Sequence, residues 1–175
     1  MKREVKWAIL AAILLVSQVG GASAAAPCLA QHAQRVEIST HHSKPIDTQT
    51  WKVKTAFTPK ERERGLSGQD GLPVGEGVWF VMPEADWHAF WMKGMRFPID
   101  LVWISPDLQV IGVETLSICK EGHQCPLHYP PGPVSFVLEV AAGTFVTGKT
   151  AAETASSNTI QPAAPRQTVR WSCTP

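Results

Sequence analysis

Four side chains that could bind a transition metal lie within ten residues of the sequence. They follow the pattern C-x3-H-x-C-x2-H and are Cys119, His123, Cys125 and His128. Thiolate sulfur and imidazole nitrogen together suit zinc or copper. In an oxidising compartment, however, the two cysteines can join in a disulfide, which removes both sulfurs as good ligands. We therefore predict a Cys119–Cys125 disulfide, with no metal and no cofactor.

A carboxylate in an apolar strand is the second group that could do chemistry. The segment FWMKGMRFPIDLVWI, Phe90–Ile104, alternates strictly over its last six residues, which places Asp100 on one face with Val102 and Ile104. Because an unpaired ionised acid among apolar side chains is costly, Asp100 needs a hydrogen-bond donor or a raised pKa. The nearest candidate partners along the chain are Lys93 and Arg96.

The same segment follows a loop rich in aromatic side chains. Trp87, His88 and Trp91 could line a groove for a glycan or a peptide, with Lys93 as a polar contact at its rim. The alternative is that the two tryptophans belong to the core and its rim.

The N-terminus is typical of an export signal. Three basic residues within Met1–Lys6 precede the apolar run Trp7–Val16, and the tripeptide ASA follows, ending at Ala24. This order predicts a secretory signal peptide over residues 1–24. Because the apolar run is too short to span a bilayer comfortably, no stable membrane span is expected once the signal is removed. We predict an exported protein, periplasmic or secreted.

Export would place all four cysteines in an oxidising compartment. If Cys119 pairs with Cys125, then Cys28 and Cys173 are left over, one near each end of the mature chain. We predict that they form a second disulfide, which joins the two ends.

Composition and motifs argue against several classes of protein. A formal net charge of +1 over 175 residues gives no basic surface of the kind that nucleic acid requires, so no nucleic-acid partner is predicted. The sequence has no GxSxG, phosphate loop, HExxH or nucleotide fingerprint, which argues against a serine or zinc hydrolase of known type. The length suits one domain with tails.

Short strand-like runs separated by turn residues predict the fold class. The runs are Trp51–Ala56, Val78–Met82 (ended by Pro83), Leu101–Ile104, Gln109–Glu114 and Val134–Val140. Ser105-Pro106-Asp107 predicts that the third and fourth runs form a hairpin, and a capping box that starts at Thr58 predicts a short helix. We predict a mainly β domain at residues 51–148, a single β-sandwich or partly closed barrel with one or two short helices. A linker at 25–50 would precede it, and a flexible C-terminal tail at 149–175 would follow.

Five pieces of sequence together resemble the domain of unknown function 192 (DUF192) family. They are ERERGL at Glu61–Leu66, the run Gly77–Phe80 before Pro83, FWMK at Phe90–Lys93, PIDL at Pro98–Leu101, and VLEV at Val137–Val140 running into Ala142-Gly143. The resemblance implies a compact, mainly β domain with many exported relatives and no assigned reaction. Gly94-Met95 and Ser67 depart from the Asn-Thr and the methionine that are usual in the family.

The resemblance also draws attention to four polar residues at matching positions, Arg64, Lys93, Asp100 and Glu139. One interpretation makes Asp100 and Glu139 an acid–base pair that Arg64 or Lys93 orients. The other makes Asp100 a buried structural acid, held by backbone amides or by Arg64.

We therefore expect an exported β-domain of unassigned biochemical function, an envelope-associated binding or accessory module whose partner is an envelope ligand or protein. The alternative is an enzyme that acts on an envelope substrate through Asp100 with Glu139 or Lys93. An enzyme needs its carboxylates within reach of a common open cleft, whereas a binding module needs an exposed Trp87 or Trp91.

Overall fold

The structure, a computed structural model, describes residues 28–41, 47–120, 122–145, 161–162 and 166–173. The predicted signal peptide lies outside the described residues. One 3-10 turn, Ala30–His32, precedes the first strand. The other elements are β1 Arg35–Thr40, β2 Asp47–Ala56, α1 Pro59–Arg64, β3 Glu76–Asp86, β4 Phe90–Trp91, β5 Ile99–Ile104, β6 Val110–Leu116, β7 Leu127–His128, β8 Val134–Ala141, β9 Gln161–Pro162 and β10 Gln167–Ser172.

Eight of the strands form one sheet, in the order β10-β1-β2-β3-β8-β5-β6-β9. Its neighbouring strands are antiparallel except β2 and β3, a parallel pair that α1 and its flanking loops connect. The short strands β4 and β7 form a separate two-stranded ribbon. The pairing of β5 with β6 confirms the predicted hairpin.

The large sheet curls into a partly closed barrel. The indole of Trp171 in β10 packs against Phe136 in β8, with ring centroids 5.4 Å apart, although three strands lie between them. In addition, Val169 N of β10 donates a hydrogen bond of 3.0 Å to the carbonyl oxygen of Leu108, just before β6. These contacts bring β10 back toward β6 and enclose one face of the sheet. The predicted mainly β fold is confirmed.

The sheet buries apolar side chains on both of its faces. The inner face, which the barrel encloses, carries Trp79, Val102, Leu138 and Val140. The outer face carries Phe80, Leu101, Trp103 and Val137. Leu66 after α1, Met92 and the Phe90 ring cover the outer face. The central strand β5 is therefore buried along its whole length.

The helix α1 begins with the predicted capping box. Glu61 N donates to Thr58 Oγ1 at 3.3 Å, and Thr58 N donates to Glu61 Oε2 at 2.8 Å, which satisfies two of the free amides at the helix start. Glu61 consequently has a lowered pKa, caused first by the hydrogen bond from the Thr58 backbone. No helix in the described part of the chain is long and apolar enough to cross a membrane.

The strand β3 continues through Pro83, so the prediction that this proline ends the strand is wrong. The pairing of β3 with β8 shifts in register between Val81 and Asp86. A proline lacks the N–H that a regular ladder requires, and it is tolerated where the ladder is interrupted.

The sheet extends beyond the predicted limits of the β-domain at both ends. β1 and the start of β2 lie in the range predicted as a linker, and β10 lies in the range predicted as a flexible tail. β1 pairs with β10 on one side and with β2 on the other. The Cys28–Cys173 disulfide joins the residues that flank this strand pair. Backbone pairing therefore orders segments whose polar composition suggested loose structure.

Candidate functional site

A cavity of about 300 Å³ opens on the outer face of the sheet. Its walls come from α1 and the turn after it, from β3, from residues 88–95 and from β8. These elements bring together several of the predicted site residues, namely Arg64, His88, Trp91, Lys93 and Glu139. A cavity of this volume accepts a small ligand.

Glu139 of β8 is the buried acid of this cavity. The residue is 6% exposed, and its Oε2 atom has no hydrogen-bond partner among the described residues. Because burial disfavours the charged form, the pKa of the Glu139 carboxyl is raised to about 8. The side chain is therefore mostly protonated near pH 7, and its O–H group can donate a hydrogen bond to a ligand.

The end of α1 lies directly against Glu139. Gly65 ends the helix at φ +45°, a backbone region that favours glycine. A Cβ atom added at Gly65 would lie 3.1 Å from Phe80 Cζ and 3.4 Å from Glu139 Oε2. The glycine therefore allows the chain to turn and also allows close approach to the carboxyl group, which contributes to its burial.

Three cations line the cavity, and one of them is already engaged. The guanidinium group of Arg62 donates to the carbonyl oxygens of Phe57 and Val81. Arg64 and Lys93 are exposed and form no ion pair with any described residue. Two of the predicted catalytic candidates are thus placed at the rim as unpaired charges.

Only part of the predicted aromatic loop lies at the cavity. His88 and Trp91 line the cavity, whereas Trp87 does not. Trp91 is 47% exposed and Trp87 is 56% exposed, so neither indole belongs to the buried core. His88 Nε2 donates a hydrogen bond of 2.8 Å to the carbonyl oxygen of Glu84, which orients the imidazole ring. The part of the loop that lies at the cavity is therefore within His88 to Lys93.

Asp100 does not belong to this cavity. In the register of β5 and β8, Leu101 is opposite Glu139, and Asp100 is opposite Val140. Opposed residues share a face and successive residues alternate, so the carboxyl groups of Asp100 and Glu139 project from opposite faces of the sheet. The predicted acid–base pair of Asp100 and Glu139 is therefore wrong. The predicted pairing of Asp100 with Lys93 is also wrong, because Lys93 lines the cavity on the outer face and Asp100 projects from the inner face.

Asp100 is instead a structural acid, as the second interpretation predicted. It is buried, and it accepts hydrogen bonds from Thr115 Oγ1 at 2.7 Å and from Phe145 N at 3.1 Å. Burial nevertheless raises the pKa of the Asp100 carboxyl, because desolvation outweighs these donors. The bonds attach the turn after β8 to β5 and β6. Arg96, predicted as a partner, pairs with Asp70.

We expect Asp100→Ala to lower the free energy of unfolding by about 3 kcal/mol, because the buried donor Phe145 N would lose its acceptor and Thr115 Oγ1 would lose its partner. Urea denaturation measures the change. Asp47→Ala is the control, since Asp47 is exposed on β2 and its loss should cost less than about 0.5 kcal/mol. Equal stability of the two variants would show that the turn does not need the carboxyl group.

The outer face carries a second buried acid, Glu114, which was not among the predicted site residues. Glu114 of β6 is opposite Leu101, on the side away from Glu139. Its Oε1 atom lies 2.7 Å from Nδ1 of His128, while Oε2 has no partner among the residues that the structure describes. The signal that could have found it is alternation, since Glu114 stands two residues before the buried Leu116.

The cysteine-rich loop contains a disulfide. Cys119 is bonded to Cys125, and Cys28 is bonded to Cys173, so both predicted bridges are confirmed. His128, one of the four potential metal ligands, contacts a glutamate of β6. The described residues include no group of three or more His, Cys, Asp and Glu side chains placed to hold a metal ion.

The curled sheet, its covering helix and the cavity together define a small, mainly β domain with a buried acid at a candidate binding site. The DUF192 family model, described as "Uncharacterized ACR", matches residues 40–154, and the chain belongs to this family. The resemblance drawn from the five sequence pieces is thereby confirmed. Among curated proteins, none matches the chain.

Solved structures share the fold. One is from Sinorhizobium meliloti 1021 and carries the provisional name of a transcription regulator. Its sequence is 22% identical and the TM-score is 0.59, and the match covers 79% of this chain and 95% of that protein. Another is a protein of unknown function from Novosphingobium aromaticivorans DSM 12444, 19% identical, with a TM-score of 0.58, over 77% of this chain and 84% of its own. At these identities the likeness shows the fold alone.

Proposed function

We propose that this DUF192 domain is an exported binding module that holds a small ligand from the cell envelope in its outer-face cavity. The observation that carries the proposal is Glu139, a cavity residue with a buried oxygen that has no partner among the described residues. A buried polar group without a partner destabilises the folded protein. A ligand that forms a hydrogen bond with Glu139 would remove this penalty.

The aromatic wall of the cavity also suits ligand binding. Phe90 makes edge-to-face contacts with Phe80 and Trp103, at centroid distances of 5.1 Å and 5.4 Å. These contacts anchor the segment from which the half-exposed ring of Trp91 projects. An aromatic ring on an anchored segment loses little conformational entropy on binding, which is why such rings often dominate recognition.

Two observations support export and therefore an envelope ligand. The chain forms two disulfides, which persist in oxidising compartments and are rare in the cytosol. The sequence independently predicts a signal peptide over residues 1–24. The cell envelope is the compartment in which an exported module of this kind would meet its ligand.

Thermal unfolding in the presence of envelope sugars, short envelope peptides and their building blocks tests the proposal. A ligand at about one hundred times its Kd stabilises the folded state by roughly 3 kcal/mol. For a chain of this size, that stabilisation corresponds to an increase in Tm of about 5–10 °C. We expect at least one member of the panel to produce such an increase.

A pair of matched substitutions tests whether the ligand occupies the cavity. Ala89 is exposed and lines the cavity, so Ala89→Trp would obstruct its opening. Ala85→Trp makes the same change at an exposed alanine of β3 that does not line it. We expect Ala89→Trp to abolish the increase in Tm and Ala85→Trp to preserve it. The proposal fails if no ligand gives an increase that Ala89→Trp removes.

An enzyme that uses Glu139 with Lys93 is the second candidate. Both residues line the cavity, and the raised pKa of the Glu139 carboxyl suits a general acid. NMR spectra of each bound ligand, followed over hours, distinguish the two functions. Chemical conversion that is lost in Glu139→Gln would indicate an enzyme, whereas an unchanged ligand would indicate a binding module.

A further inference from the structure

The charged groups around the cavity indicate which kind of ligand it takes. Besides Glu139, the ionisable side chains on its walls are Arg62, Glu63, Arg64, His88 and Lys93. When Glu139 is protonated, the walls carry three cationic side chains, Arg62, Arg64 and Lys93, and one acidic side chain, Glu63. The excess of positive charge favours an anionic ligand.

Arg64 and Lys93 are the cations that can meet such a ligand. The guanidinium group of Arg62 already donates to two backbone carbonyl oxygens. Arg64 and Lys93 come from different elements, the end of α1 and the turn after β4, and they form no ion pair with any described residue. Both are exposed at the cavity. Arg64 and Lys93 therefore place unpaired positive charge on two different walls of the cavity.

The buried acid favours the same kind of ligand. A protonated Glu139 carboxyl can donate its hydrogen to an oxygen of the ligand. A cationic ligand would form an ion pair with Glu139 only if the carboxyl group were ionised, which burial opposes, and it would be repelled by Arg64 and Lys93. Glu139, Arg64 and Lys93 therefore all favour a ligand that supplies acceptor oxygens.

We propose that the cavity selects a small ligand with a carboxylate, which Arg64 and Lys93 bind while a ligand oxygen accepts a hydrogen bond from Glu139. This inference rests on the proposed function. The cavity volume of about 300 Å³ equals that of roughly ten water molecules, enough for a single sugar ring or a dipeptide. A sugar acid and a peptide C-terminus both present the carboxylate, and the probes below distinguish them.

Isothermal titration of the oxidised protein compares probes that are matched in size and differ in charge. Glucuronate, glucose and glucosamine share a pyranose ring and are anionic, neutral and cationic. Alanylalanine and its C-terminal amide make the same comparison for a peptide. We expect the carboxylate member of at least one series to bind at least about tenfold more tightly than the other members, because hydrogen bonds between ionised groups are stronger than neutral ones.

Variants test whether Arg64 and Lys93 cause the preference. The double substitution Arg64→Gln/Lys93→Gln removes both charges and keeps polar side chains of similar reach. We expect it to weaken carboxylate binding at least about tenfold and to leave the uncharged probe within about twofold. Lys60→Gln is the matched control, because Lys60 is an exposed cation of α1 that does not line the cavity. It should leave every affinity unchanged.

The outcomes separate this inference from the proposed function. If glucose, glucosamine or the peptide amide binds as tightly as the carboxylate probe, the inference is overturned while the binding module stands. Carboxylate binding that survives the double substitution overturns it as well. If none of the probes binds, the inference is overturned, and the proposed function is then decided by the comparison of Ala89→Trp with Ala85→Trp over the wider panel.

Discussion

Replacing both Cys28 and Cys173 with serine is expected to lower the free energy of unfolding by about 5 kcal/mol. The two cysteines are 145 residues apart in the sequence. A disulfide removes conformational entropy from the unfolded chain, and the amount grows with the length of the loop that it closes. By the same relation, the Cys119–Cys125 bridge, with a sequence separation of 6, should contribute about 2 kcal/mol.

The surroundings of the longer bridge support this ranking. It joins the chain just before β1 to the end of β10, and Trp171 Nε1 donates a hydrogen bond of 3.0 Å to the Cys28 carbonyl oxygen. Denaturation by guanidinium chloride compares the two double-serine variants with the oxidised protein. A larger loss from Cys119→Ser/Cys125→Ser, or equal losses from both, would contradict the role assigned to the terminal bridge.

The parts of the fold that local sequence determines were predictable. The alternation in Ile99–Ile104 and the apolar run at Val134–Val140 lie in β5 and β8, and the turn at Pro106 produces the hairpin of β5 with β6. The capping box at Thr58 likewise depends on residues within one helical turn. Side-chain period, turn chemistry and capping act over short distances, so the residues that cause them are adjacent in the sequence.

The edges of the fold were not predictable in the same way. β1 and β10 pair although Arg35 and Ser172 are far apart in sequence, and the alternating buried residues of β1, Val36 and Ile38, do not show which strand pairs with it. β4 and β7 contain two residues each, too few to show any period. Such strands are specified by the backbone hydrogen bonds of their partners, and the sequence does not show which partner each one finds.

The candidate site was predictable in its residue types but not in its grouping. Arg64, Lys93 and Glu139 all line one cavity. Asp100 lies on the other face of the sheet, where it accepts a hydrogen bond from the turn after β8. The separation depends on a register in which Leu101, not Asp100, is opposite Glu139. A shift of one residue would reverse the faces, and nothing local to either strand reveals the register.

Glu139→Gln is expected to stabilise the folded protein by several kcal/mol at pH 9 while having little effect at pH 4. The pKa of the Glu139 carboxyl is about 8 in the folded protein, against an ordinary value of 4.5. Between these two values the unfolded chain releases the proton that the folded protein retains. Stability from this group is therefore complete below about pH 4.5 and is lost as the pH rises through about 8.

The size of the loss follows from the same shift. Each unit of pKa difference corresponds to roughly 1.4 kcal/mol, so the full loss is on the order of 5 kcal/mol. Glutamine has nearly the same shape and cannot ionise, so Glu139→Gln should lack this part of the pH dependence. Asp100 has a raised pKa of the same sign, and both proteins should keep the decline in stability that it causes.

Urea denaturation at pH 4, 7 and 9 measures the difference between Glu139→Gln and the unsubstituted protein, which isolates the titration of Glu139 from that of every other group. Glu63→Gln is the matched control, because Glu63 also lines the cavity but is exposed. We expect its stability to follow that of the unsubstituted protein at all three pH values. A stability difference for Glu139→Gln that does not grow with pH would show that Glu139 is ionised in the folded state, and its carboxyl group would then have no hydrogen to donate to a ligand oxygen.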